Sequence, residues 1–107
     1  MALSIKTAEQ LQAEALDRAK ASITRAIDTH VEAQARSLRY SSAVHLAGYA
    51  GSTVARWQTE AQAFVAWRDD VWEYVFGRLA AVESGEDEPP ESAEALIADL
   101  PAMVWPE

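Results

Sequence analysis

The sequence predicts an all-α fold: an antiparallel hairpin of two long helices with short helical segments, and an oligomer rather than a lone chain. Three observations lead there. Apolar residues recur at the helical period over two long stretches, 8–38 and 53–83. No alternating apolar–polar run bounded by turn residues marks a strand. The chain contains no Asn, and so no Asn-Gly hairpin turn.

Length and composition set the frame. At 107 residues the chain is one domain at most, and half its residues are apolar, which favours a folded protein over a disordered one. Composition divides it into a helical body, 1–83, and an acidic Pro-containing linker with a short C-terminal helix, 84–107. No run of 18 or more apolar residues is present, so no membrane span is expected. The opening MALSIKTAEQ has no apolar core of a signal peptide. There is no Cys, which removes disulfides and thiolate metal sites and fits an intracellular setting.

The first helix is expected from Ala8 to Leu38. Thr7 with Gln10 three residues on is a capping-box pattern. Leu16, Ala19, Ile23, Ile27, Val31 and Leu38 form a narrow seam suited to one neighbour. Glu14–Arg18 and Glu32–Arg36 are i,i+4 pairs in the favourable order, each worth about 0.2–0.5 kcal/mol. The apolar pattern weakens near Ala33–Ser37, where a break is allowed for. Residues 39–53 read as a turn plus a short helix. Ser41 or Ser42 caps that helix, and Ser52 or Thr53 caps the next.

Residues 54–82 form the second long helix, with three of the four Trp and both Phe. Val54, Trp57, Ala61, Phe64, Val71, Trp72, Val75, Leu79 and Val82 share one stripe at 100° per residue. Val65 and Phe76 widen it on one side, Trp67 and Tyr74 on the other. Only a narrow arc stays polar, mainly Gln62, Asp69, Asp70 and Glu73. A helix apolar nearly all round is buried on more than one side. The chain is short of other surface to bury it, so Trp57, Phe64, Arg68, Trp72 and Phe76 are the expected interaction surface. Gly85 is placed to cap the C-terminus of this helix. The run GEDEPPE is a linker, and Ser92 caps a short helix closed by Pro101. Ala95, Leu96 and Leu100 are its docking residues. Met103, Val104 and Trp105 either tuck onto the core or are offered to a partner.

Charge is unevenly placed. Residues 1–52 sum to +1, residues 53–82 to −1, and residues 83–107 to −8. Nucleic-acid binding needs a basic footprint, and none is present. The acidic segment is either a solvated linker or an arm that steers a basic partner.

Chemistry-bearing residues are sparse. Arg68 falls inside the apolar stripe. Three readings stay open: its stem packs on rings while its head reaches water, it forms a buried ion pair with an acidic group of the first helix (Asp28 or Glu32) or of a neighbouring subunit, or it is a partner hot spot. His30 has Asp28 and Glu32 only at i±2, which point elsewhere on a helix. His45 has no acidic residue within seven positions. Both histidines read as structural. Asp69, Asp70 and Glu73 cluster without the spacing or Gly turn of a calcium loop. No Ser lies in a G-x-S-x-G turn, and the G-x-x-G at 48–51 lacks the setting of a phosphate cradle. No cofactor and no catalytic or metal residue is expected.

One resemblance rests on the order of aromatic features. Tyr40-Ser41-Ser42 leads to Tyr49 and Ser52. Trp57, Glu60-Ala61, Trp67-Arg68-Asp69 and Trp72 follow, and Leu100-Pro101 closes the pattern. This is similar to small proteins of tailed phages and prophages encoded beside tail-fibre genes, some of whose neighbours are tail or tail-fibre assembly proteins. It covers residues 39–105 and brings no functional residues with it. The resemblance implies a non-enzymatic structural or tail-assembly role through helix–helix association, in the bacterial host cytoplasm or on the virion. A homo-oligomer or a tail protein is the implied partner, with no nucleic acid or membrane. An acidic phage-encoded inhibitor of a host protein is the alternative. The first helix lies outside the pattern, as an oligomerisation or attachment segment.

Overall fold

The computed structural model of the chain describes residues 7–107, and among them every regular element is helical. The order is α1 (Ala8–Ser37), α2 (Ala43–Ala47), a 3-10 turn (Gly48–Gly51), α3 (Ala55–Glu83) and α4 (Ala93–Ala98).

The predicted capping box starts α1: Thr7 Oγ1 accepts from Gln10 N at 3.1 Å, and Thr7 N donates to Gln10 Oε1 at 2.8 Å. The break allowed for near Ala33–Ser37 does not occur. Buried Ile23, Ile27, Val31 and Ala35 continue one i+4 row through it, because fully enclosed Ala35 takes the place of a larger apolar residue. Helix α1 stops at Ser37 in a turn whose αL residue is Arg39, at φ 71°. Arg39 N donates to Arg36 O at 2.8 Å and Tyr40 N to Ala35 O at 3.4 Å, which satisfies two of the last carbonyls.

Ser42 caps α2, its Oγ accepting from His45 N at 2.9 Å. The Glu32 carboxylate of α1 adds a second cap, accepting from Ala43 N at 3.1 and 3.2 Å. A carboxylate at a helix N-terminus is stabilised by the exposed amides there. Together these caps seat Leu46, fully buried, against the long helices.

Helix α3 begins one or two residues later than expected from Thr53 or Ser52. Its N-cap is Val54, which has no capping side chain; Ser52 Oγ instead accepts from Val54 N at 3.0 Å, within the turn. At the other end Gly85 takes φ 80°, as its position predicts. Helices α1 and α3 run antiparallel. Lys20 pairs with Glu83, the His30 ring meets Trp67, and Tyr40 bonds Glu60.

The core comprises Ile23, Ile27, Val31 and Ala35 of α1, Ala61, Phe64, Trp67, Val71, Val75 and Leu79 of α3, Leu46 and Leu96. The buried line of α3 is therefore turned toward Trp67 and away from Trp72, relative to the expected stripe. The cause is the C-terminal segment. After α4, capped by Ser92 Oγ accepting from Ala95 N at 3.0 Å, it runs back over α3. Pro101 O accepts from Trp67 Nε1 at 2.7 Å, and the Trp105 ring lies parallel to Phe64 at 6.2 Å. Met103 packs on the core while Val104 stays exposed. Residues 93–107 thus supply the surface that α3 needs on its second side.

The shape is long, 64 × 33 × 20 Å, with a radius of gyration of 18.0 Å. A compact domain of this length has about 13 Å. The reason is α1: N-terminal to Ile23 it buries no residue. At 1.5 Å per residue, positions 8–19 project about 18 Å past the Lys20–Glu83 tie.

Candidate functional site

The five predicted interaction residues separate into three environments. Phe64 is wholly enclosed by the chain's own residues, so it is core and not available to a partner. Trp57 is 39 % exposed and belongs to an aromatic group beside the 3-10 turn. Trp72 and Phe76 stack on each other with centroids 5.4 Å apart and planes 28° apart, and Phe76 is 59 % exposed. At 100° per residue Val65, Trp72 and Phe76 fall within about 40° of one another, so they form one ridge on the flank of α3.

Arg68 lies at the edge of that ridge. Its Nε and Nη2 donate to Asp69 Oδ1 at 3.1 and 2.9 Å. Of the three readings of Arg68, the ion pair with Asp28 or Glu32 is not formed. The adjacent Asp69 carboxylate is within reach of its fork and takes it instead. Glu32 is occupied by the α2 amide and by Arg36, 3.9 Å away. The acidic arc on α3 is thereby partly neutralised, and among the described residues no group of three or more His, Asp or Glu is arranged to hold a metal.

The acidic segment is less free than its composition suggests. Glu83 pairs with Lys20, and the pairing raises the lysine pKa through the hydrogen bond and the charge of Glu83. Asp87 Oδ2 lies 3.1 Å from Arg78 Nε, an ion pair by distance, although that Nε makes no hydrogen bond. Glu86, Glu88 and Glu91 remain exposed.

A second feature forms where the hairpin closes. Tyr40, His45, Tyr49 and Trp57 come together with centroid separations of 5.2–6.5 Å. They line a cleft of about 480 Å³ that Arg39, Arg56 and Glu60 also border. Tyr40 Oη donates to Glu60 Oε1 at 3.1 Å. Burial first, and then this bond to the carboxylate, push the Tyr40 pKa up from its ordinary value. His45 Nδ1 is hydrogen-bonded to Ser41 Oγ, and His45 Nε2 lies 3.1 Å from Tyr49 Oη. A serine nucleophile would need the second ring nitrogen oriented by a carboxylate, and Tyr49 occupies it instead. Sequence spacing gave no warning of this group, because Tyr40 and Glu60 are 20 residues apart. The i,i+4 steps Ser41–His45 and His45–Tyr49 were its only local signal.

No helix among the described residues is long and apolar enough to cross a membrane. No family model matches the chain, and no curated protein or solved structure matches it.

Proposed function

We propose that this chain is a non-enzymatic assembly protein that works by helix–helix association, of the tail or tail-fibre assembly type its aromatic pattern resembles. The observation that carries the reading is the Trp72–Phe76 stack on α3. Trp72 is half-buried against the core, while the Phe76 ring stacked on it is 59 % exposed and contributes little to this chain's own core. Aromatic side chains with a neighbouring Arg are the composition of interface hot spots. Here Arg68 stands beside them, already paired with Asp69. The projecting N-terminal half of α1, with Leu11 52 % exposed, offers further exposed helix next to the same end. A second copy could use both, one helix against another in a ridge-into-groove contact.

The test is absolute mass by light scattering over a range of concentrations, for the natural chain and for Phe76→Glu. The natural chain is expected as a dimer or larger, and Phe76→Glu as a monomer with unchanged helix content. A natural chain that is monomeric throughout, or a variant that assembles as well as the natural one, overturns self-association. The assembly role itself predicts that a phage lacking this chain makes particles with absent or incomplete tails. Normal particles would overturn it.

A further inference from the structure

Two helix ends in this molecule are closed by the same turn. After α3, Gly85 N donates to Val82 O at 3.2 Å and Glu86 N to Ala81 O at 2.9 Å, with Gly85 at φ 80°. After α1 the same two bonds are made by Arg39 and Tyr40, with Arg39 at φ 71°. Glycine adopts this backbone without penalty, and a residue with a Cβ does not. An outlier of this kind is a starting point for a functional reading when the side chain also lies at a site. Arg39 does: it lines the cleft of about 480 Å³ at the closed end.

The charges around the cleft are unequal. Glu60 is already engaged, accepting from Tyr40 Oη at 3.1 Å and facing Arg56 at 3.8 Å. No ion pair or side-chain hydrogen bond of Arg39 is formed among the described residues. The uncompensated charge of the cleft is therefore positive, in a chain of net charge −8. The walls are aromatic and steeply inclined. Tyr40 and Tyr49 meet at 52°, and Tyr49 and Trp57 at 65°. Such walls accept a flat ring by stacking, and a guanidinium fork accepts a carboxylate or phosphate through two parallel bonds. The volume is in the range of small-molecule sites.

We infer that the cleft is a binding site for a small anion that carries a ring. The ring stacks on Trp57 with Tyr49 against its edge, and the anionic group is held by Arg39. The C–H face of a sugar and the flat face of a nucleobase both pack on an indole, so an acidic sugar and a nucleoside monophosphate share this chemistry. The strained backbone at Arg39 places the guanidinium at the cleft.

Arg39→Gly gives an unusually clean test, because glycine suits the backbone there and only the guanidinium is lost. The chain is titrated with glucuronate and, separately, with adenosine 5′-monophosphate, each to roughly 10 mM. Glucose and adenosine serve as uncharged controls. Binding is read from the indole N–H signal of Trp57 in 1H–15N spectra, assigned with Trp57→Phe. One of the two anions is expected to shift that signal saturably, with its uncharged control at least about tenfold weaker. Arg39→Gly is expected to weaken the anion at least about tenfold while keeping full helix content. Glucuronate alone identifies the sugar source, and the nucleotide alone identifies the phosphate source. Absence of a saturable shift with either anion overturns the inference. So does an affinity that is unchanged in Arg39→Gly or equalled by the uncharged control.

Discussion

The closed end of the hairpin and its open end are built from the same kind of helix yet held in different ways. Around residues 35–61, Ala35, Leu46 and Ala61 are fully enclosed, four rings interlock, and Tyr40 bonds across to Glu60. At the open end the last buried residues are Ile23 and Leu79, and beyond them Lys20–Glu83 and Arg78–Asp87 are surface ties. Exposed ion pairs of this kind add little stability. The contrast shows what each part rests on. The closed end is fixed by packing. The arm of α1 rests on its capping box, its alanines and the absence of Gly and Pro, and an isolated helix of that length is marginal in water. Apolar surface left over at the open half is what the association reading uses, and the cleft of rings at the closed half is what the ligand reading uses.

The sharpest way to break this comparison is a pair of matched truncations. Phe64→Ala removes a fully buried ring stacked on Trp105 and is expected to cost about 3–5 kcal/mol in denaturant unfolding. Phe76→Ala, on the exposed ridge of α3, is expected within about 0.5 kcal/mol when measured on the monomer. Similar costs for the two would mean that the ridge is core after all.

A smaller effect tests the C-terminal strap. Trp67→Phe keeps most of the ring but leaves Pro101 O without its donor, with an expected loss of about 1–3 kcal/mol. Loss of the parallel contact between Trp105 and Phe64 in the same variant, seen as a change in near-ultraviolet circular dichroism, would show that the bond holds the strap down. An unchanged unfolding midpoint would show that the strap is held by Leu96 and Trp105 alone.

The smallest effects have opposite signs at the two helix ends. Arg39→Gly relieves an αL backbone and is expected to stabilise by about 0.5–1 kcal/mol, after allowance for the freer unfolded chain. Gly85→Ala imposes the same backbone on a Cβ and is expected to destabilise by about 1 kcal/mol. Thermal unfolding of both variants decides this. Equal signs would mean that contacts of the Arg39 side chain, and not its backbone, set the balance at the closed end.

Much of the fold was legible from local rules. The capping box at Thr7 and Gln10, the caps at Ser42 and Ser92, and the αL glycine after α3 depend on residues within a few positions of each other. The antiparallel hairpin follows from two amphipathic stretches joined by a short connection. The candidate sites were less legible. Trp57, Trp72 and Phe76 could be ranked as apolar, but Phe64 could not be told from them by periodicity, since all four lie on one broad arc. Arg68 was identified as unusual, while its partner stayed open among three readings because the side of α3 that meets α1 is a tertiary fact. The acidic tail was read by composition alone. Residues 93–107 bury Leu96 in the core and pack Leu100, Met103 and Trp105 against it, so removing them opens the body as well as discarding charge.

The sequence by itself determined the helices, their ends and the surplus of apolar residues in α3, because propensity, capping and period act over one or two turns. Only the tertiary structure decided which of those apolar residues are hidden, through a strap of chain that returns from some 35 residues away to cover one flank of α3 and leave the other bare. It also decided that Arg39, an unremarkable surface arginine in the sequence, stands at an αL position beside four rings. Burial and backbone strain are properties of where distant segments meet, and no local pattern records that.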